Sequence, residues 1–453
     1  MTSEYDGRRV VVAGLGVTGV AVADVLLDRG ALVSVVSDRD GEAEQRAATA
    51  LRERGALVRL GDAVTPLPAD LVVASPGFRP DQPLVAAAAA AGIDVIGEPE
   101  LAWRLRGPAA APWLGITGTN GKTTTVGMLE SILQAAGFRA VAAGNVGLPL
   151  VSAVTADPGY DVLAVEVSSA QLQWSPSLRF EAAAILNISE DHLDWHDTFA
   201  AYVAAKQRIW IDAVAVGNLD DSVVHGLLPS GGVGFSVSSP AADYTAVGGE
   251  LVETATGRAL IRATELAVVG PHNVSNALAA AAVARVHGVP VAAVRDGLAG
   301  FRPGRHRQEP VASRAGVDWV DDSKATNPHA AAASLAAYPS VVWIAGGLLK
   351  GADVGPLVAE HGHRLRAAIL LGKDRAQIVA ALARHAPDVP VVEVDASDTG
   401  GMDLAVRAAA RVARAGDTVL LAPAAASWDM FRDYADRGDR FAAAARSLDT
   451  GSA

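Results

Sequence analysis

Short apolar segments alternate with helical stretches from the start of the chain. Residues 9–13, 32–36, 71–74 and 94–96 are such segments, and stretches with helical spacing separate them. Buried parallel strands are apolar along their whole length, and a crossover helix connects each strand to the next. The pattern therefore predicts a small, doubly wound, Rossmann-like α/β domain over residues 1–106.

The same alternation continues beyond a linker rich in proline and alanine at residues 106–112. Further apolar strands are predicted in two regions, at residues 112–114, 140–143, 162–167 and 182–187, and at residues 341–344, 367–371 and 418–421. A boundary at residues 297–307 separates these regions. The predicted fold class is therefore α/β with three domains. A central P-loop ATPase-like domain with a mostly parallel sheet spans residues 107–303, and a C-terminal Rossmann-like domain spans residues 304–453.

A glycine-rich turn joins the first central strand to a helix. Its residues are Gly118, Thr119, Asn120, Gly121, Lys122, Thr123 and Thr124. The N–H groups of such a turn converge on an anion, and the helix N-terminus adds positive potential. Lys122 would reach the outer phosphates of a nucleotide, and the Thr123 hydroxyl would bind a metal ion. The longer phosphate-loop pattern requires glycine where the chain has Ile116, so a chance glycine turn is the alternative.

A second glycine motif follows the first strand of the chain. It comprises Gly14, Leu15, Gly16, Val17, Thr18 and Gly19, and Ser37, Asp38 and Arg39 follow the second strand. A G-x-G-x-x-G turn in a βαβ unit, with an acidic residue after the second strand, is typical of dinucleotide sites. The same turn can hold the diphosphate of another nucleotide, so both interpretations stay open.

Polar residues gather where the predicted central strands end. Asn145, Glu166 and His192 lie at that edge, where an open parallel sheet binds its ligands. Glu166 is either a magnesium ligand opposite Thr123 or a carboxylate bonded to the serine hydroxyls that follow it. His192 is either a ligand or a structural histidine in a polar loop.

Composition narrows the classes of function. The chain has 38 basic and 50 acidic residues and a net charge of −12, so it lacks the basic field that nucleic acids and anionic membranes require. It has no cysteine, which excludes disulfides and thiolate metal sites. No apolar run reaches the roughly 18 residues of a membrane-spanning helix. We therefore expect a cytoplasmic protein with small-molecule substrates, no nucleic-acid partner and no membrane insertion.

Lysine is rare in this chain. Of the 38 basic residues, only five are lysine: Lys122, Lys206, Lys324, Lys350 and Lys373. A chain that otherwise uses arginine is expected to keep lysine where a compact ammonium or a reactive amine is required, and chance retention is the alternative. For Lys206, which lies in a predicted helix, the simple alternative is a solvated side chain.

Seven motifs, in this order, resemble those of the Mur ligases, which are ATP-dependent amide ligases of peptidoglycan synthesis. They are G-T-N-G-K-T at residues 118–123, E-V-S-S-A-Q-L at 166–172, N-I-S-E-D-H-L-D at 187–194, A-K-Q-R-I at 205–209, H-N-V-S-N at 272–276, G-R-H-R at 304–307 and D-S-K-A-T-N at 322–327. The last of these, Gly346-Gly347 with Lys350, and S-W-D-M-F at residues 427–431 are most similar to the member that joins D-glutamate to UDP-N-acetylmuramoyl-L-alanine.

The resemblance implies a role for each of these positions. Lys122, His192 and Lys206 would be catalytic, and Thr123, Glu166, His192 and a carbamylated Lys206 would hold two Mg2+ ions. ATP would contact residues 118–124, Asn276, Arg307 and Asp322. The UDP substrate would contact residues 14–19, Ser37, Asp38, Arg39, Ser75 and Asn145. D-glutamate would contact Lys324, Thr326, Lys350, Ser427 and Tyr434, the last standing where the family has phenylalanine. The protein is expected to be a monomer.

Three alternatives remain at this point. The chain could be a related ligase that adds another amino acid, or a folate polyglutamylating enzyme. A folate polyglutamylating enzyme lacks the separate nucleotide domain that precedes the phosphate loop in this chain. An NAD-binding oxidoreductase or sensor would use the turn at residues 14–19 and would leave the second turn unexplained. A nucleotide switch would hydrolyse ATP without an amino acid.

Overall fold

The computed structural model describes residues 4–62, 67–107, 110–268, 270–396 and 398–448. In this part of the chain, contacts define two compact units. The first comprises Met1–Glu265 and Ser275–Phe301, and the second comprises Leu266–Val274 and Arg302–Ala453. Among the described residues, no helix combines the length and the apolar character needed to cross a bilayer.

The first unit begins with a parallel sheet flanked by helices. Its strands are β1 (Arg9–Ala13), β2 (Leu32–Ser37), β3 (Leu57–Leu60), β4 (Leu71–Ala74) and β5 (Asp94–Gly97), and its helices are α1 (Val17–Asp28), α2 (Glu42–Glu53), α3 (Pro83–Ala90) and α4 (Glu98–Arg104). The strand order is β3-β2-β1-β4-β5, with every neighbouring pair parallel. This arrangement confirms the predicted doubly wound fold and brings the ends of β2, β1 and β4 to one edge.

A second sheet completes the first unit. Its strands are β6 (Trp113–Thr117), β7 (Ala140–Gly144), β8 (Val162–Glu166), β9 (Ala182–Ile185), β10 (Val214–Asn218), β11 (Val233–Ser236), β12 (Tyr244–Val247), β13 (Glu250–Glu253) and β14 (Arg258–Arg262). The helices around it are α5 (Lys122–Ala135), α6 (Leu150–Val154), α7 (Ser169–Gln173), α8 (Leu193–His196), α9 (Phe199–Gln207), α10 (Ser222–Leu227), α11 (Pro271–Val286) and α12 (Val291–Gly300).

The strands of this second sheet lie in the order β14-β13-β12-β11-β10-β9-β6-β8-β7. In this order, every neighbouring pair between β12 and β7 is parallel. Strand β13 is antiparallel to both β12 and β14. The mostly parallel sheet was predicted, and the antiparallel extension was not. Each of these strands is short and begins and ends with a charged residue, so neither has the continuous apolar signal of the buried strands.

Aromatic packing joins the two sheets of the first unit. Arg106 lies over the rings of Trp103 and Trp113, at 4.0 and 5.1 Å from their centroids. The Gly97 N–H donates to the carbonyl of Trp174 at 2.8 Å. Arg106, at the start of the linker predicted at residues 106–112, therefore packs against aromatic rings. Pro108 and Ala109 of this linker lie outside the described residues. The predicted domain boundary near residue 106 falls inside this unit and stays a prediction.

The second unit contains a further α/β sheet. Its elements are β15 (Glu309–Arg314), β16 (Val317–Asp321), α13 (Pro328–Ala336), β17 (Val341–Ala345), α14 (Gly355–His361), β18 (Leu365–Leu370), α15 (Arg375–His385), β19 (Val391–Glu393), α16 (Gly401–Val412), β20 (Thr418–Leu421) and α17 (Tyr434–Ser447). The strand order is β15-β16-β20-β17-β18-β19, and β15 alone among these described strands is antiparallel to its neighbour. Apolar side chains fill both faces of this sheet.

Candidate active site

The turn before α5 has the geometry of a phosphate-binding loop. Gly121 adopts a left-handed conformation, with φ of 83°, and begins the helix without a side-chain cap. The Lys122 Nζ donates to the carbonyls of Gly118 and Thr119, at 2.9 Å each. Thr123 and Thr124 follow in the first turn of the helix and are half-buried. Backbone N–H groups at a helix start and a lysine folded over the turn are suited to bind phosphates.

Ile116 explains why the turn departs from the longer glycine pattern. This residue is fully buried inside β6 and pairs with Glu166 of β8. The strand therefore continues past the position where the longer pattern has its first glycine, and the turn begins at Gly118. A short turn between a buried strand and a helix is sufficient for the same backbone geometry.

Residues from other elements hold the turn in place. The Asn120 N–H donates to the side-chain oxygen of Asn187 at 2.8 Å, and the Asn187 amide nitrogen donates to the Asn120 carbonyl at 3.1 Å. The hydroxyls of Thr119 and Tyr202 lie 3.0 Å apart. Tyr202 is buried in α9, and our sequence reasoning missed it because its partner is 83 residues away.

Glu166 ends β8 beside the phosphate-binding turn. Its Oε1 accepts a hydrogen bond from the Asn145 amide nitrogen at 2.8 Å, whereas its Oε2 is buried and has no hydrogen-bond partner among the described residues. The alternative of a carboxylate held by the following serines is not observed, since Ser168 caps α7 and Ser169 bonds His196. A buried carboxylate oxygen without a partner is the donor that a hard divalent cation uses.

Lys206 is a buried amine, not a solvated helical lysine. Its side chain is 1% exposed, and its Nζ donates to the Gly118 carbonyl at 2.8 Å. Burial, and next the positive charge of Lys122, hold the pKa of Lys206 well below its usual range. Asp191 and Glu166 oppose this effect. The two lysines share one carbonyl acceptor, so an uncharged Lys206 relieves their repulsion.

His192 does not join this cluster in the contacts of the described residues. Its side chain is exposed, its backbone is left-handed with φ of 52°, and its Nε2 lies 3.8 Å from the Asp191 carboxylate. In the same loop, the His196 ring is buried and bonds the Ser169 hydroxyl at 2.8 Å, and the Asp194 side chain lies outside the described residues. The metal-binding role of His192 stays a prediction.

The N-terminal glycine motif opens into a cavity of about 500 Å³. Its lining residues are Gly14, Leu15, Gly16, Val17, Thr18, Gly19, Ser37, Asp38, Arg39, Glu44, Ser75, Pro76, Gly77, Phe78, Gln82 and Pro83. The structure therefore brings the residues predicted for the UDP part of the substrate into one cavity, except Asn145, which lies beside Glu166. Phe78 and Gln82 were not predicted, because nothing in the sequence marks these two residues as part of this cavity.

The remaining residues predicted for ATP are divided between the two units. In the first unit, the Asn276 Oδ1 occupies the place that a Cβ on Gly121 would need. In the second unit, Asp322 is buried and accepts hydrogen bonds from the Ser334 hydroxyl and the Gln308 N–H. Burial raises the pKa of Asp322 to about 6, and the charge of Arg307 opposes this shift.

Two lysines of the second unit lie over aromatic rings. The Lys324 Nζ is 3.8 Å from the ring centroid of Tyr434, and the Lys350 Nζ is 4.0 Å from that of Trp428. Tyr434 thus supplies the aromatic face expected at this position. Ser427 is buried beside the exposed Trp428, and Thr326 donates its N–H to the Lys324 carbonyl at 2.8 Å. In each pair the face of the aromatic ring attracts the lysine ammonium.

Arg437 organises the loops that carry these lysines. It is 1% exposed and donates to the Ser323 carbonyl at 2.9 Å, to the Ser323 hydroxyl at 3.0 Å and to the Ala425 carbonyl at 3.0 Å. Burial lowers the pKa of Arg437 to about 9. The residue thereby connects the loop before Lys324 to the loop before Ser427. Nothing in the sequence indicates this role, because one arginine in an arginine-rich chain is not distinctive.

Together, the phosphate-binding turn, the Glu166 carboxylate oxygen that has no partner among the described residues, and the buried amine of Lys206 are typical of a nucleotide-dependent α/β enzyme. Three family models match successive parts of the chain. They describe the Mur ligase MurD-like N-terminal domain at residues 8–97, the Mur ligase middle domain at residues 116–284 and the Mur ligase glutamate ligase domain at residues 306–425. The chain belongs to the Mur ligase family, whose members are ATP-dependent enzymes that form amide bonds and use Mg2+.

Relatives match the chain over nearly its whole length. The UDP-N-acetylmuramoylalanine–D-glutamate ligase of Streptomyces avermitilis is 53% identical and that of Thermobifida fusca is 54% identical, each alignment covering 98% of this chain and 99% of the relative. The enzyme of that name from Mycobacterium tuberculosis is 49% identical, over 98% of this chain and 96% of its own length. These matches confirm the resemblance seen in the motifs.

Solved structures share the fold at lower identity. UDP-N-acetylmuramate–alanine ligase from Thermotoga maritima aligns with a TM-score of 0.62 and 18% identity, over 98% of this chain and all of its own. A pseudomurein peptide ligase type C from Methanothermus fervidus aligns with a TM-score of 0.62 and 19% identity, over 96% of this chain and 99% of its own. Family membership favours a ligase over the oxidoreductase and nucleotide-switch alternatives.

Proposed function

We propose that this chain joins D-glutamate to UDP-N-acetylmuramoyl-L-alanine and converts ATP to ADP and phosphate in peptidoglycan precursor synthesis. The observation that carries the proposal is the buried Glu166 carboxylate oxygen, which has no hydrogen-bond partner among the described residues and lies beside a phosphate-binding turn and the buried Lys206 amine. The names of relatives that are about half identical in sequence support the choice of substrates.

The first step would activate the carboxylate of the UDP substrate. A carboxylate oxygen attacks the γ-phosphorus of ATP, and the bond between this phosphorus and the bridging oxygen of the β-phosphate breaks. ADP departs, and the substrate carboxylate has become an acyl phosphate. Lys122 would turn from the carbonyls of its own turn towards the phosphates and offset their charge. Thr123, Glu166, His192 and Lys206 would hold Mg2+, which supplies charge neutralisation at the phosphoryl oxygens. The orphaned oxygen of Glu166 fits this donor set.

Lys206 would act as a carbamate. An ammonium beside a divalent cation is repelled, whereas a neutral amine can react with carbon dioxide. The amine nitrogen forms a bond to the carbon, one proton leaves, and the product is an N-carboxylate with a single negative charge. Its nitrogen keeps one hydrogen for the Gly118 carbonyl, which the amine now binds at 2.8 Å. Burial therefore prepares both the reactive form and the place of the modification.

The second step would use the amine of D-glutamate. The neutral amine attacks the acyl carbon and forms a tetrahedral intermediate. The nitrogen then loses one proton to the medium, and phosphate leaves with the former carboxylate oxygen. Lys324, Thr326, Lys350, Ser427 and Tyr434 would bind the amino acid. We propose that residues 1–106 bind the UDP substrate, residues 107–303 bind ATP and residues 304–453 bind the amino acid, in a cytoplasmic monomer.

Phosphate release from ATP tests the proposal directly. The purified chain, with Mg2+ and UDP-N-acetylmuramoyl-L-alanine, is assayed with D-glutamate, L-glutamate, L-alanine, glycine and diaminopimelate separately. Release that depends on both the UDP substrate and D-glutamate supports the proposal. Release with another amino acid would assign a different ligase step, and release without any amino acid would indicate a nucleotide switch.

A further inference from the structure

Helix α4 presents two buried carboxylates to the second sheet of the first unit. Glu98 is 2% exposed, and its Oε1 accepts a hydrogen bond from the Val151 N–H at 2.8 Å. Glu100 is fully buried and accepts from the Ser177 N–H at 2.9 Å and from the Ser177 hydroxyl at 2.5 Å. Carboxylates are rarely buried to this degree, so each is expected to have a specific partner.

Glu98 supplies what the start of α6 lacks. The residue before this helix is Pro149, whose side chain makes no capping hydrogen bond. The first N–H groups of a helix have no partner within the helix and need an acceptor from elsewhere. The carboxylate of Glu98 meets this need from α4, an element of the other sheet.

The segment that Glu98 anchors is a tight turn against Glu166. The Gly144 N–H donates to the Leu148 carbonyl at 2.9 Å and closes the turn. Within it, the Asn145 N–H donates to the Glu166 carbonyl at 2.9 Å, and the Asn145 amide nitrogen donates to Glu166 Oε1 at 2.8 Å. Asn145 therefore fixes the orientation of the carboxylate whose other oxygen has no partner. Val151, which donates to Glu98, follows six residues after Asn145, which donates to Glu166.

We propose that Glu98 is a positioning residue that holds the Asn145 turn, and through it the Glu166 carboxylate, at a fixed place relative to the N-terminal glycine turn. This inference rests on the proposed roles of Asn145 and Glu166. Strand β5 leads directly into α4, which begins with Glu98. The hydrogen bond between Glu98 and the Val151 N–H therefore connects the sheet that lines the UDP cavity to the segment whose Asn145 contacts Glu166.

The environment of Glu98 agrees with a positioning role. Burial raises the pKa of Glu98 to about 7, against the opposing effect of the Val151 and Leu150 N–H groups. Its Oε2 has no hydrogen-bond partner among the described residues. An apolar side chain would avoid the cost of this burial but could not accept the Val151 N–H.

Glu100 provides a matched control on the same helix. It is as deeply buried as Glu98, but its partners, Ser177 and Arg104, lie outside residues 144–151. Loss of either carboxylate is expected to lower stability, because buried partners lose their acceptor. Only loss of Glu98 is expected to disturb the Asn145 turn.

The test compares Glu98→Ala, Glu98→Gln and Glu100→Ala with the wild type. Amide hydrogen exchange within residues 144–154 is measured without ligands, and the KM values for the UDP substrate and ATP are measured separately. Glu98→Ala should speed exchange in this segment and raise the KM for the UDP substrate about tenfold, with the KM for ATP within about twofold. Glu98→Gln should restore both, because its amide oxygen still accepts the Val151 N–H.

Two results would overturn the inference. One is exchange in residues 144–154 that is as slow in Glu98→Ala as in the wild type. The other is an equal rise of both KM values in Glu98→Ala and Glu100→Ala, which would show a general loss of stability. If Glu98→Ala does not fold, Glu98→Gln becomes the test. A twofold or larger increase in amide exchange within residues 144–154 of Glu98→Gln would contradict the inference. The exchange measurement uses no substrate, so it stays valid even if wild-type phosphate release shows the proposed function to be wrong.

Discussion

The two glycine turns of the first unit have similar backbones and different surroundings. Each follows a buried strand, β1 or β6, and begins a helix, α1 or α5. The turn at residues 14–19 contains no basic residue and lines an open cavity of about 500 Å³. The turn at residues 118–121 is followed at once by Lys122, and it lies against the buried Lys206 and Glu166.

The difference separates binding from chemistry. Backbone N–H groups at a helix start are enough to hold a diphosphate that does not react. Transfer of a phosphoryl group requires charges placed where the transition state develops charge, in a site with little water. The second turn has such groups beside it. Burial lowers the pKa of the Lys206 amine, and one oxygen of the Glu166 carboxylate has no hydrogen-bond partner among the described residues.

The largest expected effect comes from removing the buried amine beside the second turn. Lys206→Ala should lower kcat for phosphate release by about a thousandfold, because the site loses the carbamate that would hold Mg2+, and Mg2+ offsets the charge that develops on the phosphoryl oxygens. If a carbamate is the active form, added acetate or formate should restore part of the activity by occupying its place.

Lys373→Ala is the control for this variant, since Lys373 is exposed in the second unit and has no proposed role. Its activity should match the wild type. A Lys206→Ala enzyme with near wild-type turnover would refute the carbamate. A large loss of activity that no small carboxylate restores would leave Lys206 essential but would contradict the carbamate form.

Glu166→Gln tests whether the partner-free oxygen binds a cation. The glutamine oxygen can still accept the Asn145 amide, but the second position becomes an NH2 group, which cannot ligate a metal. We expect activity to fall about a hundredfold and the Mg2+ concentration for half-maximal activity to rise. The measurement is a magnesium titration of phosphate release.

Glu130→Gln is the matched control for the magnesium titration. Glu130 lies on α5 of the same sheet and accepts the Ala142 N–H at 2.8 Å, which a glutamine oxygen can also do. This variant should keep the wild-type magnesium dependence. An unchanged magnesium dependence in Glu166→Gln would show that the free oxygen is not a metal ligand.

Alanine substitutions in the two turns separate their ligands. Gly14 has φ of 110°, and a Cβ there would meet the Ser75 hydroxyl; Gly121 has φ of 83°, and a Cβ there would meet the Asn276 side chain. Each change strains the backbone and moves a lining residue. Gly14→Ala should raise the KM for the UDP substrate about tenfold and leave that for ATP unchanged, and Gly121→Ala should do the reverse.

Steady-state kinetics with one substrate varied at a time checks this separation. Gly55→Ala is the control, because Gly55 also has a left-handed conformation but lines neither turn. A Gly14→Ala enzyme with a raised KM for ATP alone would reverse the assignment of the two turns.

Local patterns in the sequence predicted the strands, the two glycine turns and the fold class. The apolar segments at residues 9–13 and 71–74 became β1 and β4, with the same bounds. The scarcity of lysine singled out Lys206 before its burial was known. These signals succeed because a buried parallel strand, a helix start or a rare residue type marks its own position.

Features that depend on distant residues could not be predicted in the same way. Tyr202 contacts Thr119, and Arg437 donates to Ser323, across 83 and 114 residues. The open position of His192 follows from a left-handed backbone that the residue types around it do not specify. The Glu98 carboxylate caps a helix of another sheet, so neither segment alone reveals the contact.

Of these variants, Glu98→Gln should change turnover least. It should instead change how the stability of the protein depends on pH. Burial raises the pKa of Glu98 in the folded protein to about 7, whereas in the unfolded chain the carboxyl has its ordinary pKa of 4.5. Between these values unfolding releases a proton, so the carboxyl group makes the protein less stable as the pH rises. From pH 5.5 to 7.5 the loss is about 2 kcal/mol, and glutamine, which does not titrate, removes it. Urea unfolding of both proteins at these pH values measures the difference, and parallel slopes of stability against pH would show that Glu98 does not carry this proton.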